Sequence, residues 1–91
     1  MGKGETIRTA QDAIRALEWI ASYTGILSPS QLHITAIERA VKSMKRCGAD
    51  KQNIAILGYH VRNEAAEIFP DKYTQAALKA GIEALRKDDG E

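Results

Sequence analysis

A single cysteine, Cys47, excludes an internal disulfide framework and leaves too few thiols for a cysteine-based zinc site. Such sparing use of cysteine fits a reducing compartment, so a cytoplasmic location is expected. No stretch approaches the roughly 20 apolar residues of a membrane span, and no signal-peptide core follows the start. An excess of one charge is also missing. The 13 basic residues face 12 acidic ones, a net charge of +1, so bulk charge directs the chain to neither nucleic acid nor a membrane surface. Aromatic residues make up 5% against a hydrophobic content of 44%. The core must therefore be built from Ala, Ile and Leu, which favours closely approaching helices. Strand-like alternation, internal repeats and low-complexity segments are absent. So are a phosphate-binding loop, a dinucleotide fingerprint, a nucleophile elbow and paired Glu-x-x-His. The sequence predicts no catalytic residue, no metal site and no cofactor.

What is present is helical periodicity over 91 residues, enough for one small domain. Residues 1–8 read as a flexible start, although Met1-Gly2-Lys3-Gly4-Glu5-Thr6 formally matches an N-myristoylation pattern. Residues 9–87 read as a four-helix domain, and 88–91 as a frayed acidic tail. The first helix occupies Thr9 to Thr24, capped by Thr9 and ended by a left-handed Gly25. Its apolar stripe is Ala10, Ala13, Ile14, Leu17, Ile20 and Ala21. The second starts at Ser28-Pro29-Ser30-Gln31, with Ser28 as cap, and runs to Cys47 before Gly48. Its inward face is Ala36, Ile37, Ala40, Val41 and Met44. Asp50 caps a third helix reaching Phe69, with Ile54, Leu57, Val61, Ala65 and Ile68 inward and Pro70 as its stop. Asp71 caps a fourth, to Lys87, with Leu78, Gly81, Ile82 and Leu85 inward. Gly81 in mid-helix costs about 1 kcal/mol against alanine, which a close backbone approach would offset. The fold class expected is all-α, a compact four-helix bundle.

Three surfaces carry candidate function. At 100° per residue, Trp19 falls on the far side of its helix stripe, beside Tyr23 and Ala16. Ile56, Tyr59 and Ala66 lie off the main stripe of helix three, and Tyr73, Ala77, Ala80 and Ala84 off that of helix four. A second apolar strip on three helices predicts an interface through Trp19, Tyr23, Ile56, Tyr59 and Tyr73, with a homo-oligomer or a protein partner as the occupant. The second surface is a basic arc of helix two, Arg39, Lys42, Lys45 and Arg46, diluted by Glu38, which could track phosphates. The third is a helix-turn-helix spacing from Ser43 to Asn63. Met44, Gly48, Ile54 and Leu57 hold its apolar and turn positions, and Lys51, Gln52 and Asn53 open the second helix, where base contacts are made. A helix reaching Phe69 is long for that role. His60, Glu64 and Glu67 read as a surface ion-pair group, and His33 as a histidine packed near a helix end. Cys47 follows Lys45 and Arg46, but the C-terminal end of a helix opposes thiolate formation.

Two stretches resemble the DndE family, the small helical proteins of DNA phosphorothioation systems. They are Leu17-x-x-Ile20-x-x-Tyr23-Thr24-Gly25-Ile26 and Gly81-Ile82-x-x-Leu85. The resemblance implies an oligomeric four-helix protein that binds DNA through lysines. Where the family has an Asn and an Arg after the turn, this chain has Leu27-Ser28-Pro29-Ser30, and it lacks the family's longer middle, so no binding residue carries over. The function expected from the sequence is a small non-enzymatic interaction module that self-associates and regulates or inhibits a larger machine, as chains encoded by phages and mobile elements often do. DNA binding through the basic arc and the start of helix three is the alternative.

Overall fold

The computed structural model describes residues 6–89, in which four helices pack into an all-α bundle: α1 (Ala10–Ser22), α2 (Gln31–Cys47), α3 (Lys51–Arg62) and α4 (Lys72–Asp89). Residues 1–5 and 90–91, parts of the expected flexible start and acidic tail, lie outside the described residues. Every helix pair is in contact except α1 with α3. α2 and α4 therefore form the centre and the other two flank them. No helix of the described residues is long and apolar enough to cross a membrane.

Thr9 caps α1 as its sequence requires. Its hydroxyl accepts the Asp12 N–H, and the Asp12 carboxylate accepts the N–H of Thr9 and of Arg8. Those bonds hold the Asp12 carboxyl below the usual carboxylate range, the Arg8 amide foremost. The α2 start differs from the reading above. Ser30, not Ser28, is the cap, and the box partner is His33 in place of Gln31. The reason is tertiary. Leu27 is held extended by a two-bond bridge to Ile68, at 2.9 and 2.8 Å, so the chain turns into a helix only after Pro29. Gly25 does not take the left-handed conformation expected of it. Tyr23 leaves α1 in an extended conformation, and Gly48 is the one positive-φ residue among those described.

α3 stops at Arg62, seven residues short of Phe69. Its apolar spacing continues through Ala65 and Ile68, but Ile68 is drawn into the bridge and Ala65 lies in an exposed turn. Asn63 ends the helix, with both its backbone and side-chain N–H groups donating to the Tyr59 carbonyl. α4 continues past Lys87, and Asp88 in its last turn bonds Arg46 on α2, so this part of the acidic tail belongs to the fold.

The inward faces of α1 and α2 are those read from their periodicity, apart from a half-buried Ala21 and the addition of Ile34 and Ser43. Gly81 is buried where α4 meets the other three helices. A Cβ there would stand 3.1 Å from Ala40 Cβ, 3.2 Å from Leu57 Cδ1 and 3.6 Å from Leu17 Cδ1. Ala77 and Ala84 also belong to this core and not to an outer strip. Gly48 is different, for nothing lies within 4 Å of a Cβ placed on it, but its φ is 71°. Gly48→Ala should therefore cost only the left-handed backbone penalty, about 1 kcal/mol, read as a lower urea midpoint at unchanged slope.

Candidate functional site

Two chain segments, 23–30 and 63–71, meet at one end of the bundle because they join α1 to α2 and α3 to α4. The Leu27–Ile68 bridge ties them together. Successive side chains in extended backbone face opposite ways. Leu27 and Ile68 point inward, so their neighbours Ile26 and Phe69 point out and are about half exposed, at 52% and 50%. Beside them, Tyr23 and Phe69 line a shallow groove with Pro70 and Gln75. The Gln75 side chain donates to the Ala21 carbonyl at 2.7 Å, fixing the start of α4 against the end of α1.

Trp19 stands at the same end and is 50% exposed. One face of the indole stacks on His33, with centroids 5.3 Å apart and planes within 9°, and Tyr23 stacks on it at 5.3 Å and 30°. His33 is held for this contact by its cap. Its Nδ1 accepts the Ser30 N–H at 3.1 Å, which makes the ring the neutral Nε2–H tautomer. Burial pushes the imidazole below its ordinary pKa. The result is a Tyr23–Trp19–His33 stack at the end of the bundle that also carries the outward Ile26 and Phe69.

The remaining expected interface residues do not join this stack. Ile56 is half-buried against the core. Tyr59 is exposed on α3, edge-on to His60, and α3 does not touch α1. Tyr73 is exposed in the first turn of α4, with the Lys72 ammonium 5.4 Å from its ring centroid. Sequence reasoning missed Ile26 and Phe69, because two-residue extended segments give too short an alternation to read.

The basic arc of α2 sits at the opposite end. Arg39, Lys42 and Arg46 line an open cleft of ≈ 750 Å³, bordered also by Arg8 and Thr9 and by Leu85 and Asp88 of α4. Lys45 is exposed outside that lining. Lys51, Gln52 and Asn53 open α3, the first two exposed and Asn53 half-buried, beyond the left-handed turn at Gly48. With twelve residues, α3 has an ordinary length for the second helix of such a motif.

His60 corrects the surface ion-pair reading. It is buried, at 6% exposure, its Nδ1 has no hydrogen-bond partner, and Glu64 has left the helix. It lies one turn from Leu57 and therefore inside the packed arc of α3. Among the described residues, no trio of His, Cys, Asp or Glu is placed to hold a metal ion. Comparisons with family models, curated proteins and solved structures give no match.

Both histidines make stability depend on pH in one direction. Burial lowers the folded-state pKa of each, so the unfolded chain takes up protons first. Their contribution is complete above the unfolded value of about 6.5 and is lost as pH falls below it. Urea midpoints should hold steady from neutrality upward and decline below about pH 6.5. His60→Leu should reduce the decline, and adding His33→Gln should nearly abolish it. The capping carboxylates Asp12 and Asp71 act only at lower pH, since their folded-state values also lie below the ordinary carboxylate range. A decline unaltered by both substitutions would show that other groups drive it.

Proposed function

We propose that this chain is a non-enzymatic interaction module that pairs with a second copy of itself through the Tyr23–Trp19–His33 stack and the adjoining Ile26 and Phe69. One observation carries the reading. Three ring systems are held in register by stacking and by a helix cap, yet half of the only tryptophan's surface is left in water. Rigid aromatic groups lose little conformational entropy on contact and supply most of the energy of small interfaces. Joining two equal patches about a twofold axis is the simplest closed arrangement, because each residue then meets its counterpart's surroundings. A small domain with an Ala-rich core also gains most from such burial. In this reading the pair presents its remaining faces to a larger assembly that it regulates.

Light scattering on the full chain tests the reading. A concentration-dependent dimer with a blue-shifted, quencher-protected Trp19 is expected. A monomer at every concentration, with Trp19 open to quencher, would overturn self-association.

A further inference from the structure

The cleft at the other end of the bundle has no part in that reading. α1 spans ~20 Å at 1.5 Å per residue, with Thr9 at one end and Trp19 near the other, so the two surfaces are well separated. Four cations line the cleft, Arg8, Arg39, Lys42 and Arg46, against two carboxylates, Glu38 and Asp88. Asp88 is already engaged by Arg46. Arg39 and Lys42 have no carboxylate in ion-pair range among the described residues. They are three residues apart on α2, a spacing at which like charges repel. Leaving that repulsion in place raises a positive potential, which the low-dielectric walls of a cleft focus further.

The wall is also organised for hydrogen bonding. The buried Ser43 hydroxyl accepts from Arg46 Nη2 at 3.2 Å. Arg46 thereby has two partners on two helices, Ser43 of α2 and Asp88 of α4. Thr9 and Thr35 add hydroxyls at the rim. A guanidinium fork and a point-charge ammonium converging on one concave volume suit phosphate oxygens. The volume lies within the ordinary range for small-molecule sites. A DNA backbone tracked by α2 alone would use a convex helix face. Here exposed cations of α2 border an open cleft that Arg8 at the α1 entry and the last turn of α4 complete.

We propose that this cleft binds the phosphate groups of a small, nucleotide-sized polyanion. Asp88 then acts as an internal competitor for Arg46, which gives the site an opposite-signed test. The probe is inorganic pyrophosphate, titrated into the isotope-labelled full chain and followed by amide and arginine side-chain shifts. Saturable shifts are expected at Arg8–Ala10, Arg39–Arg46 and the end of α4. Combining Arg39→Gln with Lys42→Gln should weaken binding about tenfold or more, whereas Asp88→Asn should tighten it several-fold. Lys79→Gln, on the exposed face of α4 outside the cleft, should change nothing.

Absence of saturation at about 10 mM probe would overturn the proposal. So would equal weakening by Lys79→Gln, which would indicate unspecific charge attraction. A short DNA duplex that outcompetes pyrophosphate at low concentration, with the same shifts, would assign these cations to nucleic acid and likewise overturn it. Light scattering on the Arg39→Gln, Lys42→Gln variant should show unchanged assembly, so failure here is distinguishable from failure of the self-association reading.

Discussion

Leu57→Ala is expected to destabilise the chain by about 2–5 kcal/mol. Leu57 is fully buried and is the largest of the three residues that α3 buries, with Gly58 and His60 the others. Its Cδ1 lies over Gly81, so the truncation opens a cavity where α3, α4 and α2 meet. Gly81→Ala acts at the same point with opposite volume. It gains about 1 kcal/mol of helix propensity and loses about 1–3 kcal/mol to overpacking. The Ala40 methyl, 3.1 Å from the new Cβ, has no rotamer to escape into, so net destabilisation is expected. The decisive measurement is the double variant. With Leu57 shortened, the contact at 3.2 Å disappears and the added methyl fills part of the cavity. The two losses should then fall short of their sum by about 1 kcal/mol, read from urea midpoints at constant slope. Strictly additive losses would mean that α3 and α4 do not meet at Gly81.

That crossing was legible in the sequence, since a glycine in mid-helix signals a close backbone approach. So were the faces of α1 and α2, whose apolar residues recur at helical spacing, and the Thr9 cap of α1, which is local. What escaped is what depends on contacts far apart in the chain. The pattern from Ile54 to Ile68 keeps a helical period, but the antiparallel bridge from Leu27 to Ile68 takes the last residue for itself. The same bridge decides between two serines as the cap of α2. Pro29 allows an extended Ser28, and only Leu27's partner shows that the chain stays extended beyond it.

The candidate sites divide in the same way. Trp19's outward phase follows from its own helix, whereas its stacking on His33 joins two helices and is set by the packing of α1 on α2. The cations of α2 could be read as an arc. That Arg8 and Asp88 turn the arc into a cleft could not, because they lie at opposite ends of the sequence. His60 was within reach of the sequence, since a residue three positions from a core leucine shares its face. Its polarity argued for the surface, and the structure buries it with an unpartnered nitrogen.

Trp19→Ala should weaken self-association by about 2 kcal/mol or more, roughly 30-fold in the dissociation constant. An aromatic side chain of this size buries on the order of 150–250 Å² at an interface, and the half left exposed in the single chain is the part available to a partner. Helicity should be unchanged, because Leu17 and Ile20 hold α1 to the core without it. Phe69→Ala should act in the same direction with a smaller effect. Tyr59→Ala, on the helix that does not touch α1, should leave the mass unchanged. The variant has a second consequence that a mere loss of surface would not produce. Removing the indole uncovers one face of His33, whose lowered pKa is caused by burial, so its titration should move back up toward the ordinary imidazole value. Ring-proton shifts of His33 against pH would show it. A dimer that keeps its mass in Trp19→Ala while His33 titrates higher would place the stack on the surface but outside the contact, and the pairing face would then have to be sought elsewhere on the bundle.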